Sequence, residues 1–158
     1  EGEAMAERNG KEKTVVFNRR ASHDYFLEDR YECGIQLTGT EIKSIRAGKV
    51  QFKDSYISIY KGEAWIKGMH ISNYSYGNIF NVDEERDRKL LLHKEEIRKI
   101  YDNIRMKGYT VVPVRMYLKN GRAKLEIALA KGKNLYDKRQ SDKIRDAKRE
   151  MEKALKFH

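Results

Sequence analysis

The stretch VVPVRMYLKNGRAKLEIALA, residues 111–130, decides the fold. Asn120-Gly121 stands at its centre between two strand-forming runs, and Asn-Gly so flanked is the strongest short-range signal for a two-residue β-hairpin loop. In the second arm Ala123, Leu125, Ile127 and Leu129 alternate with Arg122, Lys124, Glu126 and Ala128. That period of two gives one apolar and one largely polar face. Pro113 interrupts the first arm, so that strand is either an edge or carries a bulge there.

Working outward, Tyr31, Cys33, Ile35 and Leu37 alternate with Glu32, Gly34, Gln36 and Thr38, which predicts another strand with one buried face. Ser55 to Tyr60 and Ala64 to Met69 flank Lys61-Gly62-Glu63, a second hairpin. Ile42 and Ile45, with Gly48 beyond, read as a short helix ending at glycine. Ile97, Ile100, Tyr101 and Ile104 form a helical stripe that Gly108 can stop. Several short antiparallel strands with few helices predict a mostly β fold with some α. We read it as an OB-type closed antiparallel β-barrel with flanking short helices and a basic C-terminal tail. Residues 1–13 are polar and unpatterned and read as a disordered lead-in, residues 14–130 as the barrel, and residues 131–158 as the tail. Glu1 to Ala4 precede Met5 and read as residues left from cloning, with the natural start at Met5.

Composition narrows the function. The 158 residues are 39% hydrophobic and 37% charged, with a net charge of +10 and a pI near 9.6. A small core under a strongly basic surface is the footprint of a polyanion binder. The single cysteine, Cys33, excludes an internal disulfide and a cysteine-based zinc site, and suits a reducing compartment. No stretch reaches the length and apolarity of a membrane helix, so the expected location is the cytoplasm. Residues 131–158 hold ten Lys or Arg against five Asp or Glu, half of the chain's net charge. Ile144, Ala147, Met151, Ala154 and Leu155 lie on one thin helical stripe. Such a helix is marginal alone in water, so the tail is expected to be disordered when free and helical on a polyanion.

Catalysis finds little support. His23, His70, His93 and His158 show no metal-ligand spacing. His23-Asp24 could be imagined as a catalytic pair, but adjacent residues rarely face one another usefully. Cys33 falls on the apolar face of its strand, where a thiol is inert. Lys131-Gly132-Lys133 lacks P-loop spacing, though its lysines can meet phosphate. The expectation is no enzyme, no metal and no cofactor.

The basic residues carry the functional reading. Asn18-Arg19-Arg20, Lys43 with Arg46 and Lys49, Arg86 to Lys89, Lys131 to Lys133, and Lys138-Arg139 form separate clusters. Tyr25, Tyr56, Tyr74, Tyr76 and Tyr136 punctuate them, and rings beside cations can stack on unpaired bases. Tyr31, Tyr60, Tyr101, Tyr109 and Tyr117 read instead as core or rim. Glu32 is the odd residue on an outer strand face. It repels phosphate but can accept from a base amino group or a ribose hydroxyl, and a merely solvated carboxylate is equally consistent with the pattern.

The order of motifs resembles the tmRNA-binding (SsrA-binding) protein family. The resemblance rests on Asn18-Arg19-Arg20-Ala21, His23-Asp24-Tyr25, Tyr31-Glu32-Cys33-Gly34-Ile35, the run from Gly39 to Lys49, and Asp54-Ser55-Tyr56. It continues through Arg88 to Leu92, Lys107-Gly108-Tyr109-Thr110, Ala130 to Lys133, and Asp137-Lys138-Arg139. It implies a catalytically inactive adaptor of trans-translation, a monomer. The adaptor grips the tRNA-like domain of tmRNA near its elbow and enters stalled ribosomes delivered by elongation factor Tu. Asn18, Glu32, Leu91 and Lys124 match RNA-contact positions. Lys131, Gly132, Lys133, Tyr136, Asp137, Lys138 and Arg139 match tail positions that act in the decoding centre and the empty mRNA channel. Asn134 departs from the lysine many members carry there, and Tyr136 replaces a histidine found in some. Together with the basic clusters, the expected RNA-binding set is Asn18, Arg19, Arg20, His23, Tyr25, Glu32, Lys43, Arg46, Lys89, Leu91 and Lys124. Two other readings remain: a sequence-tolerant single-strand binder, and a small nuclease, which would need a metal or a histidine pair.

Overall fold

The computed structural model describes residues 12–73 and 83–133. In chain order the elements are β1 (Glu12–Phe17), α1 (Arg19–Asp24), β2 (Tyr25–Ile35), α2 (Gly39–Arg46), β3 (Val50–Gln51) and β4 (Tyr56–Tyr60). Then come β5 (Glu63–Lys67), β6 (His70–Ile71), β7 (Arg88–Leu91), α3 (Lys94–Lys107), β8 (Thr110–Lys119) and β9 (Arg122–Gly132).

The Asn-Gly hairpin forms as its sequence dictates. Asn120 and Gly121 both take positive φ, 53° and 81°, the pair of values a type I′ turn requires. The two-residue loop fixes the register, placing Lys119 opposite Arg122 and Tyr117 opposite Lys124. The register slips between Pro113 and Arg115. β8 is flanked on both sides, by β1 and β9, so Pro113 is accommodated by a bulge rather than an edge.

Seven strands form one antiparallel sheet in the order β1-β8-β9-β2-β7-β5-β4, and β3 pairs with β6 in a small second sheet. The inner face buries Cys33, Ile35, Ile57, Ile66, Leu90, Met116, Leu125, Ile127 and Leu129, joined by Ile45 of α2 and Ile100 of α3. The described strands do not form the closed hydrogen-bonded barrel expected from the sequence. β1 and β4 remain the hydrogen-bonded edges. β4 lies beside β8 without a ladder between them. The sheet curls on itself through side-chain packing, and the architecture is mostly β with three short helices among the described residues.

Other boundaries also shift. β1 begins at Glu12, two residues inside the expected lead-in, because Glu12 ion-pairs with Arg115 of β8 at 2.7 Å. β9 runs to Gly132, so Lys131 and Gly132 belong to the sheet and pair with Phe26 and Tyr25. β2 reaches back to Tyr25 through a bulge between Leu27 and Arg30. The short α1 packs on the outer face of the sheet, where Ala21 meets Val112 and Ala130. Residues 1–11 and 134–158 of the expected lead-in and tail lie outside the described residues.

Candidate nucleic-acid interface

Alternation along β2, β9 and β8 puts Glu32, Lys124, Tyr117 and Lys119 on the outer face. Gly34 lies opposite Lys124 across the β2–β9 pair and opposite Leu91 across the β2–β7 pair. These strands bring together residues far apart in sequence. Glu32, Gly34, Lys89, Leu91 and Lys124 line one open groove of about 650 Å³, whose far wall is the start of α3. Glu32 and Lys124 also line an adjoining hollow with Lys119, Asn120 and Arg122. Arg46 joins this end of the sheet, its guanidinium donating to the Gly121 carbonyl at 3.2 Å. Leu91 is 48% exposed, an apolar side chain standing in a polar rim.

The electrostatics of the groove centre on Glu32. Its Oε2 accepts from the Tyr117 hydroxyl and from Lys119 Nζ at 3.5 Å. The Tyr117 bond, helped by Lys119 and Lys124, outweighs partial burial and holds the Glu32 carboxyl below the usual carboxylate range. Burial and the neighbouring carboxylate push the Tyr117 phenol above its ordinary value. Glu32 is therefore an anion at neutral pH, an acceptor only. Lys89 is held by Glu63 at 2.9 Å on the same rim.

The remaining predicted residues gather elsewhere. Asn18 caps α1: its Oδ1 accepts from the Ala21 amide at 3.2 Å, while its amide nitrogen donates to the Pro113 carbonyl at 2.8 Å. Both ends of that side chain are thus committed to holding α1 on the β8 bulge. Arg20 reaches Asp54 at 2.8 Å across a groove of about 400 Å³ that Tyr25 and Tyr56 also line. Arg19 is exposed beside the exposed Phe17. His23 and Asp24 do meet, Nδ1 to Oδ1 at 2.9 Å, contrary to the sequence expectation; the pair lies on the surface, where it can serve as a local contact. Lys43 lies on α2. Lys133 Nζ donates to the Ser22 carbonyl at 3.3 Å and stands 5.3 Å from the Phe26 ring centre. Lys131 Nζ lies 4.7 Å from that of Tyr109. Tyr136, Asp137, Lys138 and Arg139 lie outside the described residues.

Two groups therefore emerge, at opposite ends of β9. Lys124 belongs to the groove, while Lys131 and Lys133 belong with α1. Seven residues of strand separate Lys124 from Lys131, about 23 Å at 3.3 Å per residue.

Sequence reasoning missed some of the site and misassigned part of its surroundings. Tyr117 reads as core and is indeed only 2% exposed, yet it sits on the outer face beneath the Arg115 guanidinium, 4.0 Å from its ring centre. Its position opposite Lys124 follows from the turn register, a signal the sequence did contain. Of the tyrosines read as core or rim, Tyr60 and Tyr101 are exposed. Within the Arg86–Lys89 run only Arg88 is internal. Arg88 is wholly buried against Glu41 at 2.8 Å, and Arg86 reaches the same carboxylate at 2.7 Å. Cys33 is buried and its thiol is pushed well up by desolvation. Among the described residues no group of three or more His, Cys, Asp or Glu is placed to hold a metal ion, and no helix is long and apolar enough to cross a membrane.

Comparison with known proteins bears on this geometry. The model of the SmpB protein family matches residues 15–157. An SsrA-binding protein of Acetivibrio thermocellus is 56% identical over 146 residues, covering 92% of this chain and 95% of its own. Those of Clostridium acetobutylicum and Lysinibacillus sphaericus are 53% and 54% identical. They cover 96% and 93% of this chain, and 98% and 95% of their own lengths. A solved chain described under "tmRNA-SmpB: a journey to the center of the bacterial ribosome" superposes with a TM-score of 0.64 at 46% identity. That match covers 74% of this chain and 82% of the other.

Proposed function

This chain belongs to the SmpB protein family, and from that membership we propose that it is an RNA-binding adaptor of trans-translation. It binds the tRNA-like domain of tmRNA and delivers it to stalled ribosomes. The observation that supports this most directly is the convergence of Glu32, Lys89, Leu91 and Lys124 from β2, β7 and β9 on one open groove. A groove that mixes three carboxylates (Glu32, Glu63 and Glu96) with three lysines and the exposed Leu91 suits a shaped, structured RNA. A purely cationic channel with stacked rings would suit arbitrary strands better.

In this reading Lys124 and Lys89 meet phosphate, Leu91 packs on a base or ribose, and Glu32 accepts from a donor on the RNA. Arg46 and Lys43 extend the cationic surface from α2. Asn18 contributes chiefly by fixing α1, which presents Arg19, Arg20 and His23, with Tyr25 following at the start of β2. Lys131 to Lys133, followed by Tyr136 to Arg139, lead the tail toward the decoding centre and the empty mRNA channel of the small subunit. The curled sheet serves as an OB-type barrel completed by packing of β4 on β8. The protein acts as a cytoplasmic monomer, travels with elongation factor Tu through the tmRNA complex, and works by binding alone.

A gel-shift with a transcript of the tRNA-like domain, at fixed salt, tests the reading. Excess tRNA and poly-U should compete poorly, and Glu32→Ala should weaken binding although it removes a negative charge. Equal competition by poly-U would establish a sequence-tolerant binder. Tighter binding by the Glu32→Ala protein would mean that the carboxylate only repels.

A further inference from the structure

Tyr117 has no reason to be a tyrosine on packing grounds alone. It points from the outer face of β8 and is almost completely covered there. Its ring is capped by the Arg115 guanidinium at 4.0 Å. Arg115 is itself held by Glu12 and Glu126, each at 2.7 Å. A buried phenol needs a hydrogen-bond partner, and Tyr117 finds it two strands away, across β9, in Glu32. Two strand spacings are about 9.6 Å, a gap that takes a side chain as long as tyrosine to bridge toward a glutamate reaching back. The hydroxyl and Lys119 both engage Oε2. Oε1 is engaged by neither, and the carboxylate borders both hollows of the groove.

We propose that Tyr117 is a positioning residue for RNA recognition: its hydroxyl holds Glu32 by Oε2 so that Oε1 is presented to the groove as a fixed acceptor for a donor on the RNA. The inference rests on the reading of the groove given above. Its physical basis is preorganisation. A half-exposed glutamate has many rotamers, and binding must select one; a side chain already held in place avoids that ordering penalty. The Arg115 stack holds the ring itself in place, so the chain of support runs from the Glu12–Arg115–Glu126 ion network through Tyr117 to Glu32.

The test is a double-mutant cycle on the full chain with Tyr117→Phe, Glu32→Ala and the double variant. It is read by filter binding to the tRNA-like domain transcript at several salt concentrations, with thermal melts alongside. Tyr117→Phe keeps the ring and its Arg115 stack and removes only the hydroxyl. It should weaken binding about 3- to 10-fold, while leaving the salt slope unchanged because no charge is lost. In the Glu32→Ala background the same change should do nothing, within about twofold, because the hydroxyl then has no carboxylate to position. A structural role would instead lower the melting point and weaken binding equally in both backgrounds, which would overturn the proposal. Wild-type affinity for Tyr117→Phe, together with weak binding by Glu32→Ala, would show that the carboxylate needs no positioning and would also overturn it. Unchanged binding by Glu32→Ala would be a different failure: the groove reading itself would fall, and the positioning role with it.

Discussion

Replacing Glu41 with leucine should be the most destabilising single change among the ion-paired residues of the described fold. Glu41 is 4% exposed. Its Oε1 accepts from the Thr38 amide at 2.9 Å, closing the capping box at the start of α2. The same carboxylate takes Arg86 Nη2 at 2.7 Å and Arg88 Nε at 2.9 Å. Arg88 is fully buried and also donates to the carbonyls of Met69, Arg86 and Glu84. Leucine at 41 would leave that guanidinium buried with carbonyl partners but no counter-charge. Stranding one member of a buried pair costs about 3–5 kcal/mol, and losing the capping box adds about 1 kcal/mol. Against a total stability of roughly 5–15 kcal/mol, the loss is large, and it should lower the melting point by roughly 10–20 °C for a domain of this size. Arg86→Met removes a partly exposed partner while Arg88 keeps Glu41 paired, so it should cost only about 1 kcal/mol. Urea unfolding followed by circular dichroism, with the m-value checked for constancy, measures both. A Glu41→Leu protein less than about 1 kcal/mol below wild type, or no less stable than Arg86→Met, would refute the assignment of this cluster as a buried structural anchor.

The pair of Glu41 and its arginines also sets a pH response. Burial alone would raise the Glu41 carboxyl, but the hydrogen bonds from Arg86, Thr38 and Arg88 outweigh it, so its folded value is lowered. Its stabilisation is therefore complete above the unfolded glutamate range and is lost as pH falls through the lower folded value. Urea midpoints measured from pH 7 down to acid should show a drop that the Glu41→Leu protein lacks in part. Cys33, buried with a raised thiol, should react with a thiol reagent only in denaturant; rapid labelling of the native protein would contradict its burial. A Cβ added at Gly34 would come within 3.3 Å of Leu91 Cβ and Cδ1. Gly34→Ala should therefore displace Leu91 and weaken tmRNA binding several-fold, with a stability loss of about 1 kcal/mol or less; unchanged affinity would remove Leu91 from the interface. Truncation after Lys133 should spare binding of the tRNA-like domain but abolish tagging of stalled peptides in a reconstituted translation assay, and loss of RNA binding would show that the tail shares the first site.

Much of the sheet was legible because its signals are local. The Asn120-Gly121 turn fixes a register by its own backbone chemistry, and alternation from Tyr31 to Ile35 needs only one buried face to be read. The stripe on α3 is legible for the same reason. What failed depended on distant partners. α1 has a single buried residue, Ala21, and it is held by Asn18 bonded to Pro113, 95 positions away. Glu12 and Lys13 look like solvated lead-in, yet Glu12 is drawn into the sheet by Arg115. Arg88 reads as surface cation because nothing near it in sequence announces Glu41, 47 positions earlier. The Thr38-Gly39-Thr40-Glu41 capping box was a local signal, and could have fixed the start of α2. Closure of the barrel was beyond reach, because alternation marks which face is buried and not whether the edge strands meet. The groove illustrates the same limit. Its charges could be counted, but only the pairing of Gly34 with both Leu91 and Lys124 brings Glu32, Leu91 and Lys124 side by side.

The separation of the two basic groups is what makes an adaptor physically plausible from this fold. A flexible basic chain could spread its charges over one RNA, and all its cations would compete for the same phosphates. Here β9 is pinned along its length by β8 and β2, so Lys124 and Lys131 are kept about 23 Å apart. Lys133 is tied back to α1 through Ser22, which fixes the point from which the following residues depart. The groove at Glu32 and Lys124 therefore lies at one end of β9 and the departure point of the following chain at the other. In the proposed adaptor role, the residues after Lys133 would engage a second RNA surface from that fixed point. Their effective concentration there is set by geometry rather than by diffusion. In the proposed role the sheet would do more than carry side chains: it holds two basic groups too far apart for one small patch of RNA to satisfy both.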